Sequence, residues 1–377
     1  MWTPRMKTAR RAFSLIELLT VIGIIALVVA IILPALSGAR NAARRTAAQQ
    51  LMTEIGNACS LYKSDHQGRN PGYFSEKAMG SADNRDRGLS GMENAMLDLA
   101  GDGAILGSAQ TTPADSGMGD IIVGPTNSTR DQIVVRSSLM ATSESSYFKP
   151  SREYYQAQLS STGQQVGVPA HAGASETAPQ LLDVVDPFGN PVLFWSADTY
   201  TMPRPGSLDE FISIDGNQTA MFYWNSNAAF LRATSLGRKG FDQTVAPAPG
   251  RPASLIGAGM LSNQPELKLS MGALLGSASA PRAVGMSVDQ ALAGNNLEVL
   301  YPGLPRGSFV IQSAGPDGIF LSSNDRGFKS IAHESNHIDY GLSFFADETT
   351  RLTDDNGNPT SRDVLADFDD IVTAGGG

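Results

Sequence analysis

Cysteine is almost absent from this chain, since Cys59 is the single one among 377 residues. One cysteine excludes an intrachain disulfide and any zinc site built from a cysteine cluster. An excess of basic residues is also missing, because 28 lysines and arginines stand against 37 aspartates and glutamates, for a net charge of −9. This acidic balance gives no reason to expect nucleic-acid binding and is compatible with sites for divalent cations.

Most motifs of enzyme active sites are missing as well. The chain has no GxSxG nucleophile elbow, no P-loop and no dinucleotide-binding glycine pattern. One short match is present, because His333-Glu334-Ser335-Asn336-His337 fits HExxH, in which two histidines bind zinc and the glutamate acts as general base. Neither a sustained apolar helix face nor a third-ligand motif accompanies it. We therefore expect no enzyme and no zinc, and keep a membrane-tethered zinc hydrolase as an alternative.

A long apolar run lies near the start of the chain. Residues 13–36 contain one charged side chain, Glu17, and a helix needs about 20 apolar residues to cross the hydrocarbon core. A carboxylate costs roughly 2.5–3.5 kcal/mol at the membrane centre, which indicates that Glu17 has a function. Apolar residues continue at three- and four-residue spacing as far as Tyr62. This spacing predicts one helix over residues 14–64, apolar all round in its first half and amphipathic in its second.

The N-terminal pattern resembles that of the type IV pilin and type II secretion pseudopilin family. A basic leader is followed by Phe13, by Glu17 as the fifth residue counted from Phe13, and by Pro34, where many family members have a helix-loosening proline. Ala12 stands where the family usually has glycine. The resemblance implies that a prepilin peptidase cuts between Ala12 and Phe13 and methylates the new amine. It also implies that Glu17 faces the amine of a neighbouring subunit and sets the axial register of a filament.

The expected organisation follows from this resemblance and from the residue pattern. We expect an α+β fold in which the long helix packs on a C-terminal antiparallel sheet, as a pilin-like roll with large insertions. The expected parts are a leader at 1–12, a transmembrane half-helix at 13–36, an amphipathic half-helix at 37–64, and an α+β domain at 65–377 with insertions near 75–180 and 326–365. Further helices are predicted at Met92–Leu99 and Glu153–Leu159, and strands at Pro191–Ser196, Met221–Trp224, Ala229–Arg232 and Ser308–Ser313.

A short segment in the middle of the chain resembles a loop of the major pseudopilins. Asp186-Pro187-Phe188-Gly189-Asn190-Pro191 is similar to their Asp-Pro-Trp-Gly-Asn-Pro loop, with phenylalanine in place of tryptophan. Proline fixes φ, while glycine and asparagine tolerate positive φ. These residues therefore predict a tight turn that Asp186 caps.

Residues 313–325 resemble the calcium loop of the same proteins. The implied ligands are oxygen donors, which calcium prefers in sets of six to eight. They are the carboxylate of Asp317, the adjacent pair Asn324 and Asp325, and the backbone carbonyl groups of Ala314 and Ile319. Asp369 and Asp370 are a second candidate for the adjacent acidic ligands, because together with Ile371 they form the Asp-Asp-Ile sequence that is usual at this place in the major pseudopilins. We expect a calcium site and leave the choice between the two pairs open.

The resemblance implies a structural subunit whose mechanism is assembly. The expected function is that of a filament-forming pseudopilin of a type II secretion-like system, anchored as a single-pass protein in a bacterial inner membrane with its C-terminal domain in the periplasm. The implied partners are further copies of the chain, minor pseudopilins, the prepilin peptidase and the inner-membrane assembly platform. A type IV pilin or adhesin, whose enlarged domain binds an external ligand, is a further alternative.

Overall fold

A computed structural model describes part of the chain in detail. It covers residues 15–74, 90–100, 105–108, 121–123, 133–135, 146–156, 182–198, 211–213, 221–223, 227, 254, 256, 265–277, 304–327 and 363–376. The chain divides into two compact units, residues Met1–Thr46 and Ala47–Gly377. Three predictions lie outside the described residues: the leader with Ala12 and Phe13, the strand at Ala229–Arg232, and the HExxH match at 333–337.

Helix α1 runs from Leu15 to Asp65, which confirms the helix predicted from the apolar spacing. All its large apolar side chains from Leu15 to Leu36 are exposed, over 45% to 79% of their surface. Among the described helices, α1 alone is long and apolar enough to cross a membrane. Glu17 lies in its first turn, and the helix continues through Pro34.

In the second unit, the C-terminal part of α1 forms one wall of the hydrophobic core. Its buried side chains recur at helical spacing and are Ala48, Leu51, Met52, Ile55, Ala58, Cys59 and Tyr62. They belong to the same cluster as Phe194, Phe309 and Ile311. Gly56 faces the same neighbours, because a β-carbon there would lie 3.6 Å from Cγ2 of Thr373. The half of the helix that the spacing marks as amphipathic is thus the half that packs on the protein.

Within the described residues, ten short strands form three antiparallel sheets. They are β1 (Ile105–Ser108), β2 (Ile121–Val123), β3 (Ile133–Val135), β4 (Tyr155–Gln156), β5 (Asp183–Val184), β6 (Leu193–Asp198), β7 (Phe211–Ser213), β8 (Met221–Tyr223), β9 (Phe309–Ser313) and β10 (Ile371–Gly375). The sheets have the orders β1-β3-β2, β4-β5 and β10-β9-β6-β8-β7. A long helix packed with an antiparallel sheet makes this an α+β fold, as the sequence predicts.

Two further helices are described, α2 (Gly91–Leu99) and α3 (Pro265–Leu275). Helix α2 confirms the helix predicted there and begins with a capping box. Ser90 Oγ accepts a hydrogen bond from Glu93 N–H, while Ser90 N–H donates to Glu93 Oε2. The serine and glutamate at this spacing satisfy two N–H groups that the first turn leaves free.

The helix predicted at Glu153–Leu159 is wrong over the residues of it that the structure describes, 153–156. Arg152–Tyr154 form a single 3₁₀ turn, and the chain then enters β4, where Tyr155 pairs with Val184. The side chain of Tyr155 is buried in the main core cluster. Pairing and burial therefore stabilise an extended backbone where local propensity allows a helix.

Candidate metal centre

Three carboxylates meet at the end of strand β9. Asp317, Asp325 and Asp369 each place one oxygen within 4.8 Å of the other two. Asp317 closes the 3₁₀ turn Gly315–Asp317 directly after β9, and Asp369 lies two residues before β10. Since Ser313 at the end of β9 lies opposite Ile371 at the start of β10, the antiparallel pairing joins groups that are far apart in the sequence.

Backbone N–H groups hold these carboxylates in place. Ile319 N–H donates to Asp317 Oδ1 at 2.8 Å, and Asp317 N–H donates to Asp369 Oδ2 at 3.3 Å. Asp369 N–H donates to Asp325 Oδ2 at 3.4 Å. The second oxygen of Asp369, Oδ1, is buried and has no hydrogen-bond partner. A buried carboxylate oxygen without a donor is rare and has the surroundings expected of a metal ligand.

Gly315 allows the two chain segments to approach each other. A β-carbon at this position would lie 2.4 Å from the carbonyl oxygen of Asp369, and the backbone has φ of 68°. Any other residue would both collide with Asp369 and adopt a left-handed conformation that costs energy. The glycine is therefore a requirement of the close contact between Asp317 and Asp369.

Burial raises the pKa values of all three carboxylates, and neighbouring negative charges add to the increase at Asp317 and Asp369. Burial, followed by the charges of Asp317 and Asp325, raises the pKa of Asp369 to about 7 from an ordinary value of 3.8. Partial desolvation also raises the pKa of Asp317 and of Asp325. Like charges at this spacing repel one another, so the group favours a bound proton or a bound cation.

The structure brings together one residue from each of the two candidate pairs. Asp325 and Asp369 join Asp317 in the group of three. Asp370 is buried instead, and its two oxygens accept hydrogen bonds from Gln312 Nε2 at 2.7 Å and from Leu321 N–H at 2.9 Å. Burial raises the pKa of Asp370 well above its usual range. Asp370 is therefore a core residue that supports the loop from inside.

The remaining expected ligands lie on the same loop. Ala314 is the residue before the 3₁₀ turn, and Ile319 follows Gly318, whose φ is 75°. The side chain of Asn324 is exposed, and the backbone N–H of Asn324 donates to Ser322 Oγ at 3.2 Å. All three residues therefore lie within the short segment that also carries Asp317 and Asp325.

A second contact holds the segment that carries Asp369. Asp363 caps the 3₁₀ turn Val364–Asp367 by accepting from Leu365 N–H. Its carboxylate also forms a two-pronged ion pair with Arg306, at 2.6 and 2.9 Å. The same guanidinium donates to the carbonyl oxygens of Ala273 and Leu274 at the end of α3. Arg306 thus joins the end of α3, the segment before β9 and the 3₁₀ turn before β10.

The donor set fits a hard cation such as calcium. Ligand oxygens of one calcium ion lie 2.3–2.6 Å from it, so two of them are at most about 5 Å apart. The three carboxylate oxygens meet this limit. A bound calcium would supply two positive charges to a group whose negative charges repel one another. The sequence identified all three aspartates as candidates but did not predict strand β10, which brings Asp369 to the other two.

Family models, curated protein sequences and solved structures all give no match.

Proposed function

We propose that this chain is a filament-forming subunit of the pilin and pseudopilin class. Helix α1 carries the proposal, because a single helix of 51 residues combines a fully exposed apolar half with a half that is part of a folded core. Such a helix can anchor the subunit in a bilayer before assembly and can pack against copies of itself afterwards. The N-terminal residues that resemble the family's processing site support the same function.

Glu17 is the proposed register residue of the filament. It lies in the first turn of α1, close to the proposed new N-terminus at Phe13. In an apolar filament core, a carboxylate is tolerated when an opposite charge lies beside it. The amine of a neighbouring copy would supply this charge, and removing one partner of such a pair costs about 3–5 kcal/mol. A displaced neighbour would leave both charges unpaired, which is how the pair would fix the axial position.

The test is filament assembly in a bacterial host that supplies a prepilin peptidase and an assembly platform. We expect the Glu17→Ala variant to be processed and to remain in the membrane fraction, but to form no filaments in electron micrographs. Thr20→Ala, a change one turn further along the same helix, is the matched control and should assemble normally. Filaments of Glu17→Ala at the wild-type level would falsify the proposed role of this carboxylate.

Processing is tested separately by mass spectrometry of the membrane-bound chain. We expect the mature protein to begin with a methylated Phe13. Protein that still begins with Met1 in the presence of the peptidase would contradict the proposed maturation, because the amine that Glu17 needs would then lie elsewhere.

We propose in addition that Asp317, Asp325 and Asp369 bind calcium and that the ion joins the loop after β9 to the segment before β10. Three clustered carboxylates and a buried oxygen without a donor support this site.

Titration calorimetry of the detergent-solubilised chain should give one calcium site, and Asp325→Asn should weaken it. Asp367→Asn, a nearby carboxylate outside the group of three, is the control and should leave the affinity unchanged. Absence of binding heat and of thermal stabilisation by calcium would remove the site.

A further inference from the structure

The turn at Asp186–Pro191 contacts the loop after β9 directly through the side chain of Asn190. Asn190 Nδ2 donates to the carbonyl oxygen of Gly315 at 2.8 Å. Asn190 Oδ1 lies against Gly318, where a β-carbon would be 3.0 Å away. Gly315 and Gly318 flank Asp317 on both sides, and both have positive φ, of 68° and 75°. One carboxamide therefore contacts the two flexible positions that set the orientation of Asp317.

Asn190 is itself held by a buried carboxylate. Asp186 Oδ1 accepts from the N–H groups of Phe188 and Asn190 at 2.8 and 2.9 Å. Asp186 Oδ2 accepts from Ser313 Oγ at 2.6 Å, and Ser313 Oγ in turn accepts from Gly315 N–H at 3.3 Å. The predicted tight turn is thus confirmed, with Asp186 as its cap. Asp186 also connects the turn to Gly315 by a second path.

We infer that Asn190 is a positioning residue for the cation site, holding the Gly315–Gly318 segment so that Asp317 faces Asp325 and Asp369. This inference rests on the proposed calcium site. Groups that hydrogen-bond to metal ligands fix the ligand geometry, and their loss typically weakens metal binding about 10- to 100-fold. Asn190 acts on the backbone on both sides of the ligand Asp317, and we expect an effect of this order. The family resemblance marks this segment only as a turn. The contacts with Gly315 and Gly318 give its asparagine a second task.

The first test compares Asn190→Ala with Asn70→Ala in the detergent-solubilised full chain. Asn70 is a matched control, because its Nδ2 also donates to a backbone carbonyl, that of Ser308 at 2.7 Å, but at the opposite end of β9. Both variants lose a side-chain hydrogen bond to the backbone, so both should melt at a lower temperature in chelator. We expect Asn190→Ala alone to raise the calcium dissociation constant, about 10- to 100-fold. Equal affinities of the two variants would overturn the inference.

The second test uses Asn190→Asp, which keeps the shape of the side chain and removes its donor. If only the net negative charge of the site mattered, this variant would bind calcium more tightly. We expect weaker binding, because the carboxylate repels the Gly315 carbonyl oxygen that the amide of Asn190 holds. Tighter binding or an unchanged affinity would overturn the positioning role.

A spectroscopic measurement separates positioning from loss of stability. Terbium is the probe, since its luminescence lifetimes in H₂O and D₂O report how many waters coordinate the ion. We expect more coordinated water in Asn190→Ala than in the wild type, and an unchanged number in Asn70→Ala. An unchanged water count in Asn190→Ala contradicts the inference. A wild-type chain that binds neither calcium nor terbium overturns the cation site itself, whereas equal binding by wild type and Asn190→Ala overturns the role of Asn190 alone.

Discussion

Replacing Asp369 with asparagine should stabilise the calcium-free protein and abolish its response to calcium. Burial and the charges of Asp317 and Asp325 raise the pKa of Asp369 to about 7. A carboxyl group whose pKa is higher in the folded than in the unfolded chain destabilises the fold once it is ionised. Asparagine has nearly the same shape and no charge, so it removes this repulsion and replaces a charged ligand with a neutral amide oxygen, which binds calcium much more weakly.

The size of the effect follows from the two pKa values. An increase in the pKa of Asp369 from 3.8 to about 7 corresponds to a loss of about 4 kcal/mol in the free energy of unfolding when solvent screening is ignored. Asp369 is partly exposed, and solvent screening reduces the contribution of such groups, so we expect a gain of about 1–2 kcal/mol. For a domain of this size, each kcal/mol shifts the melting temperature by about 2–4 °C. The gain should be absent below about pH 3, where aspartate is protonated in both states, should grow as the pH rises through 4 to 7, and should be complete above about pH 7.

The assay is thermal unfolding of the detergent-solubilised chain from pH 4 to pH 8, in chelator and in excess calcium. In chelator, the melting temperatures of wild type and Asp369→Asn should separate as the pH rises. In calcium at 100 times the dissociation constant, the wild type should gain about 2.7 kcal/mol and the variant should gain little, which reverses their order. Asp367→Asn is the control, and its difference in melting temperature from the wild type should be the same in chelator and in calcium.

Two results would refute this reasoning. If the melting temperatures of wild type and Asp369→Asn stayed parallel over the whole pH range in chelator, ionised Asp369 would not destabilise the fold. If Asp369→Asn still melted at a higher temperature than the wild type in excess calcium, the three carboxylates would bind no calcium. This would hold even if the pH dependence in chelator were as expected.

Four further predictions concern single residues. Ser90→Ala removes the capping box of α2 and should cost about 1 kcal/mol in denaturant unfolding; an unchanged midpoint would contradict this. Gly315→Ala should cost more than about 2 kcal/mol and abolish calcium binding in calorimetry, whereas wild-type binding would show that the contact with Asp369 is relaxed. Burial alone would raise the pKa of Asp363, but the hydrogen bonds and charge of Arg306 lower it. The Asp363→Asn variant should therefore lose about 1 kcal/mol of unfolding free energy at pH 7, and progressively less as the pH falls below about 4. A loss of unfolding free energy that does not depend on pH would refute the role of the ion pair. Metal analysis of the purified chain should find no zinc, and one zinc per chain that His337→Ala removes would instead support a zinc hydrolase.

The long helix could be predicted nearly to the residue because its pattern is local. An apolar run followed by apolar residues at helical spacing predicts residues 14–64, and α1 spans Leu15–Asp65. Strands β6 and β9 could be located in the same way, since both are short apolar runs. The helix predicted from residue 153 is wrong over residues 153–156, because the backbone there is decided by the pairing of Tyr155 with Val184, which a local pattern does not contain.

The acidic site was only partly predictable, for a similar reason. Asp317, Asp325 and Asp369 each belong to a recognisable motif, but the motifs do not say which members meet. Asp369 is 52 residues from Asp317 and 44 from Asp325. Their meeting depends on the pairing of β9 with β10 and on a glycine small enough to allow the contact, and both are properties of the folded chain.

The adjacent aspartates before β10 have opposite environments, and this makes the segment intolerant of changes in length. Asp369 belongs to the partly exposed acidic group, whereas Asp370 is buried and bonded to Gln312. Moving a chain segment by one residue places each side chain in its neighbour's environment. A single-residue deletion or insertion between Phe368 and Ile371 would therefore move one carboxylate out of its pocket and bring an apolar side chain into another. Natural variants of this protein should differ in length elsewhere and keep this stretch at constant spacing.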